Sequence, residues 1–182
     1  MQIRIQMKNV LTSIFTLAFI FTINQGFAQR GPAPSPTVTV TQDVGGTEMT
    51  LIYSRPSLDG RSLSTLAPNG KVWRTGANAN TKIHFDKDVM LGGKSLPAGE
   101  YSMYSIPGAN EWTIIINKAK SWGTQYDESQ DVIRFTAKPM TTSNAVETFS
   151  IMMTDFDKNG KKNANIELAW GNTSVKFPIE VQ

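Results

Sequence analysis

From Thr37 onward, apolar and polar positions alternate with a period of two, and Gly, Pro or Asn punctuates the alternation. That period is the signature of strands with one buried face. Val38 and Val40 alternate with Thr37, Thr39 and Thr41, and Met49, Leu51 and Tyr53 follow Gly45-Gly46. A two-residue turn at Gly45-Gly46 pairs Val40 with Leu51 and Val38 with Tyr53, and glycine supplies the positive φ that such a turn requires. Near the C-terminus, a turn at Asn159-Gly160 pairs Met153 with Ile166, Ile151 with Leu168 and Phe149 with Trp170. A second turn at Gly171-Asn172 pairs Leu168 with Val175 and Ile166 with Phe177. Both registers gather the large apolar side chains on one face, which a one-residue slip would destroy. The pattern predicts a three-stranded antiparallel meander over residues 146–181, with Trp170 buried opposite Phe149.

Between these ends, strands are expected at Thr81–Phe85, at Val89–Leu91 with a turn at Gly92-Gly93, and at Tyr101–Ile106 with a turn at 107–110. Trp112–Asn117 and Val132–Lys138 complete the set. Ile114, Ile115 and Ile116 are apolar on both faces, which places that strand inside a sheet. No long segment carries a helical stripe. Short strands in this number bury their faces only in two packed layers or a barrel, so the expected fold is a single all-β domain, an antiparallel β-sandwich or jelly-roll-like arrangement. Two irregular stretches, Arg55–Asn80 and Ala119–Gln130, are where ligand contacts are expected to collect.

The N-terminal end breaks the pattern. Arg4 and Lys8 precede the uncharged apolar run Val10–Ile23, and Gly26-Phe27-Ala28 offers a small-x-small cleavage site. This order describes a secretory signal peptide over residues 1–28, cut between Ala28 and Gln29, with Met7 an alternative start. The run of about 14 residues is too short to cross a ~30 Å hydrocarbon core comfortably, and no later segment is longer, so the mature chain is expected to have no membrane span. Gln29 in place of Cys argues against a lipid anchor. Residues 29–36 (QRGPAPSP) read as a Pro-rich flexible leader, and 37–182 as the domain. The expected location is periplasmic or secreted.

Without residues 1–28 the chain keeps 16 basic residues against 15 acidic. This near-neutral balance does not support a nucleic-acid partner. The absence of cysteine excludes disulfides, thiol catalysis and thiolate metal sites, and a single histidine, His84, excludes a poly-His site within one chain. No cofactor motif is present and no cofactor is expected.

Ser54-Arg55-Pro56-Ser57 with Gly60-Arg61, then Gly70-Lys71-Val72-Trp73-Arg74-Thr75-Gly76-Ala77-Asn78, resembles a family of exported bacterial proteins known as a domain of unknown function, DUF2911. The likeness continues through Leu96–Tyr101, Ile106–Gly108, Glu111–Thr113, Trp122-Gly123, Tyr126–Ser129 and Leu168–Trp170. It covers roughly Val38 to Pro178. The resemblance implies a secreted or periplasmic protein of the Bacteroidetes type and no particular activity. The family often carries Glu after Gly-Ala-Asn; here Ala79 stands there, so any acid–base role of that Glu is missing from this chain.

Arg55, Arg61, Arg74 and Asn78 all fall in the first irregular stretch, next to Trp73. Arginine presents a planar fork of donors suited to carboxylate or phosphate. The plainer alternative is that these side chains tie the loop down through backbone carbonyls and Asp59. Trp73, Trp112, Trp122, Tyr104 and Tyr126 are candidates for a sugar-stacking platform, although Trp112 and Trp170 fit the core. Trp122 and Tyr126, as loop residues, are the better ligand candidates.

Asp155-Phe156-Asp157-Lys158-Asn159-Gly160 matches the opening of a calcium loop, but Ile166 stands where a bidentate Glu is required, and a hairpin with Asp157 opposite Lys162 explains the same residues. No metal is expected. His84 alternates outward with Lys82 and Asp86 and needs no role.

The function expected from these features is an exported, non-catalytic binding or accessory module. It would recognise a small polar ligand, anionic or glycan, through Arg55, Arg61, Trp73, Arg74, Asn78, Trp122 and Tyr126. Two alternatives stand beside it: a metal-independent hydrolase using Asp127, Glu128 and Asp131 with Arg74, and a structural envelope protein without a ligand.

Overall fold

In a computed structural model, residues 33–120, 122–158 and 162–181 are described. The expected signal peptide with its Ala28/Gln29 cut, residues 29–32 of the expected leader and the expected Asn159-Gly160 turn lie outside the described residues. Ten strands dominate: β1 (Thr37–Val44), β2 (Thr47–Ser54), β3 (Thr81–Phe85), β4 (Val89–Leu91), β5 (Lys94–Leu96), β6 (Gly99–Ile106), β7 (Trp112–Asn117), β8 (Asp131–Ala137), β9 (Pro139–Thr154) and β10 (Asn163–Val181). The only helices among the described residues are a single turn, α1 (Leu63–Leu66), and a 3-10 turn at Glu128–Gln130.

The strands form two antiparallel sheets, β1-β2-β3-β6-β7-β8 and β5-β4-β10-β9. Side chains of both sheets build one core: Leu51, Ile83, Met103, Ile114 and Ile116 from the first meet Ile151, Ile166, Leu168 and Ile179 from the second. Phe135 on β8 and Phe177 on β10 lie 5.2 Å apart by ring centroids. Tyr53 on β2 accepts from the N–H of Ile151 at 2.9 Å and donates to its carbonyl at 3.2 Å, tying β2 to β9. The fold is therefore an all-β sandwich, and no barrel closes.

Both expected pairs of the first hairpin form, Val40 with Leu51 and Val38 with Tyr53, around Gly45 at φ 58° and Gly46 at φ 81°. In the C-terminal part, Met153 pairs with Ile166 and Ile151 with Leu168. The turn expected at Gly171-Asn172 does not form, and there is no three-stranded meander. β10 runs unbroken from Asn163 to Val181. Gly171, at φ 57°, sits in a bulge instead. Pairing jumps from Ala169 with Ser150 to Gly171 with Val146 and then to Thr173 with Thr141, so the extra residues of β9 loop outward while β10 continues.

Asn172 donates to the Thr142 carbonyl at 3.2 Å across this bulge. Beyond it, Val175 pairs with Pro139 and Ile179 with Leu91 on β4. Ile166, Leu168, Val175 and Phe177 all face the core as expected, but as alternation within one long strand. Phe149 and Trp170 are not ladder partners; the bulge separates their backbones while their rings stay 5.7 Å apart.

Candidate functional site

The chain before β3 extends the sheet on its own. Trp73 pairs with Ser105 of β6, donating at 2.7 Å and accepting at 2.8 Å. Pleating sends consecutive side chains to opposite faces. Trp73 turns into the core, stacked on Trp170 at 5.6 Å and edge-on to Trp112 and Phe149. Arg74 consequently emerges on the outer face of the six-stranded sheet, the face that Ser102 and Tyr104 of β6 also occupy.

The end of the first irregular stretch and the start of the second meet over that face, held by a shared anchor. Asn80 donates its amide to the Ser102 hydroxyl, and Ser102 donates to the Ala119 carbonyl. Asn117, fully buried, fixes the second stretch at three points. Its amide donates to the Asp127 carbonyl at 2.8 Å and to the Asp131 carboxylate at 2.7 Å, and its side-chain oxygen accepts from Ala119 N–H at 2.8 Å. Tyr126 donates to Asp131 at 2.8 Å, accepts from Arg134, and packs edge-on against Tyr104 at 5.0 Å. Burial, and then the Asp131 carboxylate that accepts its proton, push the Tyr126 phenol up to about 12, against the opposing pull of Arg134. Tyr126 is thus a neutral donor whose proton is already placed.

Where the two stretches meet, a cavity of about 320 Å³ is lined by Leu66, Pro68, Val72, Trp73, Arg74, Gly123, Thr124 and Tyr126. Among the described residues, Arg74 is the one charged side chain in that lining. Its Nε is buried and meets no hydrogen-bond acceptor among the described residues. A buried donor left without an acceptor costs roughly 1–3 kcal/mol. Arg134 close by is neutralised: it pairs with Asp131 and, at 2.9 Å, with Glu128.

The remaining candidates are placed elsewhere. Arg55 donates to the Phe149 carbonyl at 3.0 Å and the Ser150 hydroxyl at 2.8 Å, bracing β2 against β9. Arg61 closes its own loop on the carbonyls of Leu58 at 2.9 Å and Ser57 at 3.0 Å. Asn78 adopts φ 57° and donates to the Ser35 carbonyl at 3.1 Å. With Arg55 N–H on the Pro36 carbonyl at 2.9 Å, this fastens residues 35–36 to the first irregular stretch. Trp122, one residue before Gly123, is 57% exposed and outside the lining. Of the seven candidates, Trp73, Arg74 and Tyr126 share the cavity.

The calcium-like acids are engaged locally. Asp155 accepts from Lys176 at 3.0 Å, and Lys162 N–H reaches Asp157 at 3.4 Å. The acidic loop residues serve as acceptors too. Asp127 caps the 3-10 turn through Ser129, while Glu128 and Asp131 hold Arg134.

Sequence reading passes over Leu66, Pro68, Val72, Gly123 and Thr124 as lining, and over the anchors Ser102, Asn117 and Arg134. Asn117 follows the apolar run Ile114–Ile116, and that amide is the one signal that could have marked it. A second cavity, of about 370 Å³, lies between α1 and the start of β9; Ser62, Asn69, Trp112, Met140 and Thr173 are among its lining, which contains no charged side chain.

The profile of the family described as "Protein of unknown function (DUF2911)" matches residues 35–179. The chain belongs to that family. No curated protein and no solved structure matches significantly.

Proposed function

We propose that the protein is an exported binding module that captures a small anionic ligand over Arg74. The observation that carries this reading is the Arg74 guanidinium itself: in a site of about 320 Å³, its buried Nε has no acceptor among the described residues. An anionic oxygen would relieve that deficit and form a charge-assisted hydrogen bond in a partly desolvated site. The signal-like residues 1–28 support export to the periplasm or beyond the cell.

Hydrolysis is the weaker reading, because Asp127, Glu128 and Asp131 are all committed to capping or to Arg134. A sugar platform is also less favoured, since Trp73 and Trp112 turn their faces into the core and only Trp122 presents an open indole.

The test is a thermal-shift screen of the mature protein against small organic acids, phosphates, neutral sugars and divalent metals. Anions should raise the melting temperature of the wild type and leave Arg74→Gln unmoved. A shift that survives Arg74→Gln, or one confined to neutral sugars or metals, would overturn the reading.

A further inference from the structure

We infer that the ligand is a small monocarboxylate with an apolar body; this rests on the anion-site reading above and narrows it. Three properties of the lining point that way.

The first is charge. Arg74 supplies the cavity's one cation among the described residues, since the neighbouring Arg134 is balanced by Asp131 and Glu128. A single guanidinium matches a single carboxylate in charge and in fork geometry. A phosphate monoester, near −2 at neutral pH and with three acceptor oxygens, asks for further donors.

The second is the supply of those donors. The Tyr126 hydroxyl gives its proton to Asp131 and so offers none to a ligand. Among the described residues, Thr124 is the remaining side-chain hydroxyl in the lining. Arg74 and Thr124 together suit two carboxylate oxygens.

The third is the wall. Leu66, Pro68 and Val72 supply apolar surface beside the guanidinium, and Val72 is 41% exposed at this site. Covering such surface favours a hydrocarbon or aryl body over a polyhydroxylated one. The cavity has room for a body of about ten heavy atoms, taking ~20–30 Å³ for each and the ~30 Å³ of a water molecule as the guide.

The experiment is calorimetric titration of the mature protein with phenylacetate, acetate, phenylacetamide, phenyl phosphate and inorganic phosphate, repeated with Arg74→Gln and with Val72→Asn. Phenylacetate should bind at least tenfold more tightly than its isosteric neutral amide and than acetate, and no more weakly than phenyl phosphate. Arg74→Gln should remove the preference for the acid over the amide, whereas Val72→Asn should narrow the gap between phenylacetate and acetate. Tighter binding of phenyl phosphate or inorganic phosphate, with dependence on Arg74, would overturn the carboxylate assignment and leave the anion site standing. Equal binding of phenylacetate and phenylacetamide, or no binding of any probe to a folded wild-type protein, would overturn both.

Discussion

Gly123 rests against the side chain of Arg74: a β-carbon on Gly123 would stand 2.7 Å from Arg74 Cδ and 2.8 Å from the backbone nitrogen of Asn80. The close approach explains why the two irregular stretches share one cavity. Arg74 can yield, being a flexible side chain, but the Asn80 backbone cannot. Gly123→Ala should therefore lift the loop, costing about 1–3 kcal/mol as an overpacking substitution. It should also weaken anion binding. Denaturation and ligand titration on the same variant check both effects; unchanged stability and affinity would show that the contact is not constraining.

Truncating Trp170 should be costly to the core. Its ring stacks on Trp73 at 5.6 Å and meets Phe149 at 5.7 Å, and its Nε1 donates to the Glu147 carbonyl at 3.1 Å. Trp170→Ala should lower stability by about 3–5 kcal/mol, measured by urea unfolding. Because Trp73 leads directly into Arg74, the same variant should also loosen the site. A loss below ~1 kcal/mol would contradict the packing described.

Gly92 carries a different constraint. At φ 56° it occupies the left-handed region, and a β-carbon there would fall 2.3 Å from the Phe135 ring. Gly92→Ala combines backbone strain of roughly 1–2 kcal/mol with overpacking of about 1–3 kcal/mol. Gly92 is not among the cavity-lining residues, so the variant should lower the melting temperature and leave the affinity of the remaining folded protein unchanged. Differential scanning calorimetry with and without ligand separates the two.

Tyr126 gives the domain an alkaline limit. Its pKa is raised to about 12, chiefly by burial and then by Asp131, against an ordinary value near 10. The folded state thus holds this proton more tightly than the unfolded state. Its contribution to stability is complete below about pH 10 and is lost as the pH climbs towards about 12. Tyr126→Phe should be less stable than the wild type at neutral pH and should show a shallower loss across that alkaline window, read by unfolding at fixed pH values. Parallel pH profiles would show that the Tyr126–Asp131 bond does not govern this limit.

Much of the fold is legible in the residues, because alternation and glycine turns are local signals. Val40 with Leu51, Ile151 with Leu168 and the Gly92-Gly93 turn follow from them directly. Gly171 shows where local signals end. A glycine at positive φ followed by Asn suits a hairpin turn and a bulge equally, and only the surplus length of β9 and the pairing of Ile179 with Leu91 decide for the bulge.

The site divides in the same way. Arg55, Arg61 and Arg74 are alike as letters. What separates them is whether a carbonyl lies within reach, and those carbonyls belong to Phe149, Leu58 and Ser57, set by the fold. The outward placement of Arg74 follows from its neighbour: Trp73 belongs in the core, so the next side chain must face away.

The most direct test of the account is to observe the arginine Nε–H groups themselves. A nitrogen-15 NMR spectrum of the protein reports them: Arg55 and Arg61 already donate from Nε to carbonyls at 3.0 and 2.9 Å, while Arg74 Nε has no acceptor among the described residues. Titration with phenylacetate should shift the Arg74 Nε–H resonance strongly and leave those of Arg55 and Arg61 in place, with assignment by Arg74→Gln. A saturating shift at Arg55 or Arg61 instead, or an Arg74 resonance unmoved at ligand concentrations that stabilise the protein, would contradict the account.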